Sequence, residues 1–104
     1  FIDTAIDWNV VSSRIKLEVY YIVQQAVRNI NEHSKALEAS VEIKSDHNNL
    51  LLTISDNGIG FQNEKALGMG ISGMKKRTQE VDGDFEIVST KSNGTTISIK
   101  IPIV

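Results

Sequence analysis

The sequence predicts a two-layer α/β sandwich of the α+β kind, with helices on one face of a sheet. Three observations point there. One long stretch has an uninterrupted helical period, two pairs of alternating segments are each joined by a short polar turn, and only two helical segments serve at least four strands. A doubly wound nucleotide fold is excluded, because hairpin-linked strands leave too few crossover helices. With 104 residues, 40% hydrophobic and 23% charged, the chain reads as one soluble globular domain spanning 1–104. It opens on Phe1 and not Met, so it is expected to be a fragment of something longer.

Residues 1–10 alternate loosely through Ile2, Trp8 and Val10 and read as a short strand. Ser12-Ser13 offers an N-cap. From about Arg14 to His33 there is no Gly or Pro, and Ile15, Val19, Ile22, Val23, Ala26, Val27 and Ile30 form one apolar face. Residues 36–45 alternate, with Leu37, Ala39, Val41 and Ile43 on the apolar side. His47-Asn48-Asn49 turns the chain into a second strand, 50–55, to make an antiparallel hairpin. A polar stretch, 62–67, reads as a loop. Gly68 to Met74 follows, then helical character from Lys75 to Val81, closed by Asp82-Gly83 with Gly83 as the left-handed C-cap. Strands 85–90 and 95–103 meet at Ser92-Asn93-Gly94, a short-hairpin signal.

Charge and composition narrow the function classes. A net charge of −2 gives no electrostatic case for nucleic acid or an anionic membrane. Without cysteine there is no disulfide frame, thiolate chemistry or cysteine metal site, which fits a reducing compartment. No apolar run approaches the roughly 20 residues that span a bilayer. His33 and His47 do not form a cluster suited to zinc.

Three stretches could carry chemistry. Side chains in a strand alternate, so Leu50, Leu52, Ile54 and Asp56 share a face, and a carboxylate arrives at the end of a core face. Either Asp56 closes an Asx-type turn or something polar sits before it, with Gly58 and Gly60 allowing close backbone approach. On the long helix, at about 100° per residue, Gln25, Asn29 and His33 form a stripe beside the apolar face. Asn29 is either a surface amide or a carbonyl ligand for a hard cation such as Mg²⁺. Gly68-x-Gly70 before a helix suits an anion held by free backbone N–H groups, although glycines before helices are common.

Taken together, these stretches resemble the ATP-binding catalytic domain of two-component sensor histidine kinases. That family belongs to the superfamily that also includes gyrase, the large heat-shock chaperone and mismatch-repair ATPases. The segment YYIVQQAVRNINEHSKA is similar to its asparagine box, DNGIGF and GMGISGMKKR to its glycine boxes, and NGTTISIKIPI to its closing strand. The short stretch between Phe61 and Gly68 and the run GISGMKKR look most like the nitrate-sensor type, whose ATP lid is abbreviated.

The resemblance implies a Bergerat-type ATP-binding fold, with a mixed sheet covered by helices on one face. It implies ATP and Mg²⁺ as cofactors. Asp56 would accept from the adenine amino group, joined by Thr95. Gly58 and Gly60 would admit the base and ribose. Gly68 and Gly70 would cradle phosphates at a helix start, His33 would complete the nucleotide site, and Asn29 would hold the metal. Gln25 and Asn29 are the catalytic candidates. The partners implied are the protein's own dimerisation and phosphoacceptor domain, absent from this chain, and a response regulator. The location implied is cytoplasmic, within a membrane-anchored sensor, with this domain itself not inserted. Two positions depart from the pattern. Gln25 stands where the family usually has Glu, and Glu32 where a basic residue is usual. Two other outcomes therefore stay open: a degenerate nucleotide-binding or interaction domain without kinase activity, and an anti-sigma-factor type serine kinase on the same fold.

Overall fold

The computed structural model describes residues 6–29, 38–46, 48–57, 64–90 and 94–103. Expectations for residues 1–5, for Glu32 and His33, for the turn residue His47 and for Gly58 and Gly60 lie outside them. The described chain carries a 3₁₀ turn, Trp8–Val10, then α1 (Ser13–Asn29), β1 (Ala39–Ser45), β2 (Asn49–Asp56), α2 (Glu64–Glu80), β3 (Asp84–Thr90) and β4 (Gly94–Pro102).

The four strands form one sheet in the order β1-β2-β4-β3. Every described pairing is antiparallel, where the resemblance implied a mixed sheet. The expected first strand is part of the difference. Asp7 Oδ1 accepts from the Asn9 N–H at 3.0 Å, and Val10 N–H donates to Asp7 O at 3.3 Å. This Asx-type capture coils the segment into a 3₁₀ turn in place of an extended one.

Side-chain parity decides which face of the sheet is covered. Leu50, Leu52 and Ile54 of β2 and Ile97, Ile99 and Ile101 of β4 are all buried. They meet Val19, Ile22 and Ala26 of α1 and Ile71, Met74 and Val81 from α2 and its cap in one cluster. Each Val, Leu, Ile or Met among them contributes about 1.5–3 kcal/mol by leaving water. The opposite face is polar, with Ser40 and Ser55 hydroxyls 2.9 Å apart and an ion pair between Lys44 and Glu42 at 2.6 Å.

α1 starts where the serines suggest. Ser12 Oγ accepts from Ile15 N–H at 3.2 Å, and Ser12 O from Lys16 N–H at 3.0 Å. Its inner face is narrower than the predicted stripe, because Val27 is exposed at 42%. One residue past Ala26, it has turned about 100° away from the sheet.

α2 begins at Glu64, well before the expected start near Lys75, and takes in the stretch 64–67 predicted as a loop. Glu, Lys, Ala and Leu at 64–67 are strong helix formers, which outweigh the glycines that follow. Its end also differs from expectation. Asp82, with φ 60°, is the left-handed residue, and Gly83 is not. Gly83 N–H donates to Thr78 O at 2.9 Å and Asp82 N–H to Gln79 O at 3.1 Å, the paired bonds of a Schellman cap. Asp tolerates the left-handed region better than most residues. Gly83 is needed for another reason. A Cβ there would sit 2.8 Å from Thr78 Cγ2 and 2.9 Å from Lys100 O, so it lets the cap press against β4.

Candidate nucleotide site

The sheet brings together the first pair of predicted residues. Asp56 and Thr95 are direct partners in the β2–β4 register, at the end of the two central strands. Thr95 is buried at 6% exposure, and Asp56 is half-buried beyond Leu52 and Ile54 on the same face. Opposed side chains on an antiparallel pair lie about 4.5–5.5 Å apart at Cβ, so a carboxylate and a hydroxyl converge where the core face ends. Asn57, the next residue, is tied across the hairpin to the start of β1. Its Oδ1 accepts from Glu38 N–H at 2.9 Å, and its own N–H donates to Glu38 O at 3.1 Å.

Gly94 makes this convergence possible. It has φ +87°, and a Cβ there would fall 2.0 Å from the Asp56 carbonyl oxygen. The Asn-Gly turn signal marked Gly94 as a hairpin residue. Its closeness to Asp56 depends on strand order, which the turn signal does not contain.

α1 brings together the second pair. Gln25 Nε2 donates to Asn29 Oδ1 at 3.1 Å. The spacing is one helical turn, as the stripe predicted. Asn29 Nδ2 is buried and has no hydrogen-bond partner among the described residues. An unpaired buried donor costs about 1–3 kcal/mol.

Gly68 and Gly70 are not at a helix start. Both fall inside α2, where backbone N–H groups serve the helix's own ladder, and the free donors at its N-terminus belong to 64–67.

Sequence reasoning missed the residues that frame the helix side. A cleft of about 400 Å³ between α1 and α2 is lined by Tyr21, Gln24, Gln25, Arg28, Gly73, Met74 and Arg77. The α1 members recur at i, i+3, i+4 and i+7, so they could have been found as a second face of that helix. Arg77 binds the two helices together. Its Nη1 donates to Glu18 Oε2 at 3.3 Å, and its guanidinium lies 4.5 Å from the centre of the Tyr21 ring.

Residues 15–104 match the family described as histidine kinase-, DNA gyrase B- and HSP90-like ATPases. The chain belongs to this family. It is 35% identical over 104 residues to the sensor histidine kinase LiaS of Bacillus subtilis, covering 94% of this chain and 29% of LiaS. It is 37% identical over 91 residues to the histidine-protein kinase/phosphatase DegS of Brevibacillus brevis, covering 86% of this chain and 24% of DegS. The chain thus spans under a third of the length of these relatives. Among solved structures, the blue-light activated histidine kinase of Erythrobacter litoralis EL346 superposes with a TM-score of 0.75 at 20% identity, over 98% of this chain and 33% of that one. Acinetobacter baumannii AdeS gives 0.72 at 19% identity, over 85% and 47% respectively. These likenesses establish the α+β histidine kinase ATPase-domain fold, and the family is one of ATP-binding domains. Among the described residues no helix is long and apolar enough to cross a membrane.

Among the described residues no three His, Cys, Asp or Glu side chains cluster as a metal cage, and the one amide with an orphaned buried atom presents nitrogen there, its oxygen accepting from Gln25, so the side chains as placed do not offer a hard cation a ready ligand.

Proposed function

We propose that this domain binds Mg-ATP and donates the γ-phosphoryl to a histidine on an adjoining dimerisation domain, in two-component signalling that ends on a response regulator. The observation that carries this reading is Asp56, a carboxylate closing an otherwise apolar core face directly opposite the buried Thr95. Asp56 accepts the adenine amino group and Thr95 stands beside it. The phosphate end lies toward α1, where Arg28 and Arg77 line the cleft next to Gln25. Gly58, Gly60 and His33 complete the site on this reading.

Bound Mg²⁺ would neutralise charge on the phosphates. The chain's own residues position the nucleotide and exclude water from it, which is most of what phosphoryl transfer requires. An N–P bond forms to the acceptor imidazole as the bond from the γ-phosphorus to its bridging oxygen breaks. ADP leaves with the bonding pair, and the imidazole proton passes to solvent.

A second reading is favoured by one residue. Gln25 cannot take up a proton, so the domain could bind nucleotide without transferring phosphoryl. Titration with ATP and Mg²⁺, followed by a transfer assay in the full-length protein, separates the two. Binding with phosphohistidine formation supports the kinase reading. Binding without transfer favours the degenerate one, and absence of binding refutes both.

A further inference from the structure

The cleft between α1 and α2 is cationic in a chain whose net charge is −2. Among the described residues that line it are two cations, Arg28 and Arg77, two amides, Gln24 and Gln25, and no carboxylate. The two cations are held differently. Arg77 is fixed, because Glu18 accepts from one of its N–H groups and the Tyr21 ring stacks against it. A guanidinium has five N–H donors, so most of them remain for another acceptor. Arg28 makes no hydrogen bond or ion pair among the described residues.

Gly73 is the second sign of a ligand. It stands inside α2, where glycine is less stable than alanine. Packing does not require it, since a Cβ there would meet no neighbouring atom within 4 Å. The missing side chain therefore clears space in the cleft and not between protein groups. At about 400 Å³ the cleft is of small-ligand size, a class that starts near about 300 Å³.

We propose that this cleft binds a phosphoryl group, received by Arg28 and Arg77 against the bare wall at Gly73. Guanidinium forks match pairs of anionic oxygens. A carboxylate offers two oxygens, enough for one fork. A phosphoryl offers three terminal oxygens and can face both. Glu18 offsets one of the two positive charges, so its work is to aim Arg77, and Arg28 supplies the uncompensated charge. Two sources carry this chemistry: the terminal phosphate of a nucleotide, which rests on the proposed function, and free phosphate, which does not.

Inorganic phosphate, titrated into ¹⁵N-labelled protein in EDTA, is expected to shift the Nε–H signals of Arg28 and Arg77. Arg28→Gln should weaken that binding at least about tenfold, as for one lost charge-assisted bond. Gly73→Ala should weaken it too, while raising the melting temperature by about 4 °C. Lys76→Gln removes an exposed cation outside the cleft and should change neither. Equal losses in Lys76→Gln and Arg28→Gln would mean diffuse surface charge and overturn the site. So would phosphate binding that Gly73→Ala leaves untouched. ATP and ADP, titrated by displacement of a fluorescent nucleotide, separate the sources. If Arg28→Gln weakens ATP about tenfold and ADP hardly at all, the group bound is the terminal phosphate. If it weakens inorganic phosphate and neither nucleotide, the cleft serves free phosphate. If phosphate binds and no nucleotide does, the nucleotide reading fails and the cleft site stands. Wild type that neither responds to phosphate nor prefers ATP over ADP overturns the proposal.

Discussion

Asp56 and Thr95 face each other because two central strands fix their register, whereas Gln25 and Asn29 are joined by a single bond between side chains. The sheet end of the site is therefore a backbone construction, and its geometry survives most changes of side chain. The helix end is a side-chain construction, responsive to one substitution or to a ligand. On the proposed reading, the end that reads the base is the one built from backbone and the end that meets the phosphates is the one built from side chains.

The comparison breaks most visibly at Gly94. Gly94→Ala places a methyl group 2.0 Å from the Asp56 carbonyl oxygen at φ +87°, so the ends of β2 and β4 must part. The expected loss is about 3 kcal/mol or more in urea unfolding. A loss under about 1 kcal/mol would mean the strand ends move independently and the register does not hold the pair.

Asp56→Asn tests the same end without disturbing the backbone. Nucleotide affinity should fall at least about tenfold, or roughly 1.4 kcal/mol, with the melting temperature little changed. Unchanged affinity would refute the adenine assignment.

On the helix side, Arg77→Met removes the partner of Glu18 and the cation over Tyr21. Stability should drop by about 1–2 kcal/mol in a thermal melt. That is less than for a fully buried pair, because Arg77 is 42% exposed and partly screened. Adding Glu18→Gln should recover part of the loss, and no recovery would show that packing rather than charge joins the helices.

The smallest effect lies away from both ends, at the β1–β2 turn. Asp46 Oδ1 accepts from the N–H groups of Asn48 and Asn49 at 2.9 and 2.8 Å, and these bonds hold its carboxyl below the ordinary carboxylate range. A carboxyl whose pKa is lowered on folding stabilises above its unfolded value, about 3.9. That contribution fades as pH falls through the lowered folded value. Wild type should therefore exceed Asp46→Asn slightly at pH 7, with the gap closing in acid. A gap independent of pH would assign the difference to the turn's shape rather than to its charge.

Most of the sheet end was legible in the sequence. Period-two alternation placed Asp56 on the core face, and the parity of the last strand put Thr95 with the inward isoleucines. Neighbour order could not be read, so the pressure of Gly94 on Asp56 was invisible. Helix α1 was legible from Ser12 onward, and the Gln25–Asn29 spacing put the two on one stripe, where they bond. The orphaned Nδ2 was not, since burial of one atom depends on what packs over it. Helix α2 was the weakest reading. The polar stretch 62–67 suggested a loop and Gly68 and Gly70 the approach to a helix, while the helix formers at 64–67 carried the ladder through them. At its end, the glycine next to Asp82 drew the left-handed assignment to itself, although its service is to admit Thr78 and Lys100.

The strand order has a consequence for biosynthesis. β2 is made early, but its partner on the site side, β4, is the last of the four strands to be made. Thr95 and Gly94 belong to that last strand. A nascent chain carrying α1, the first hairpin and α2 still lacks the residue that faces Asp56. On the proposed reading, a chain stopped short of Gly94 would lack half of the adenine site.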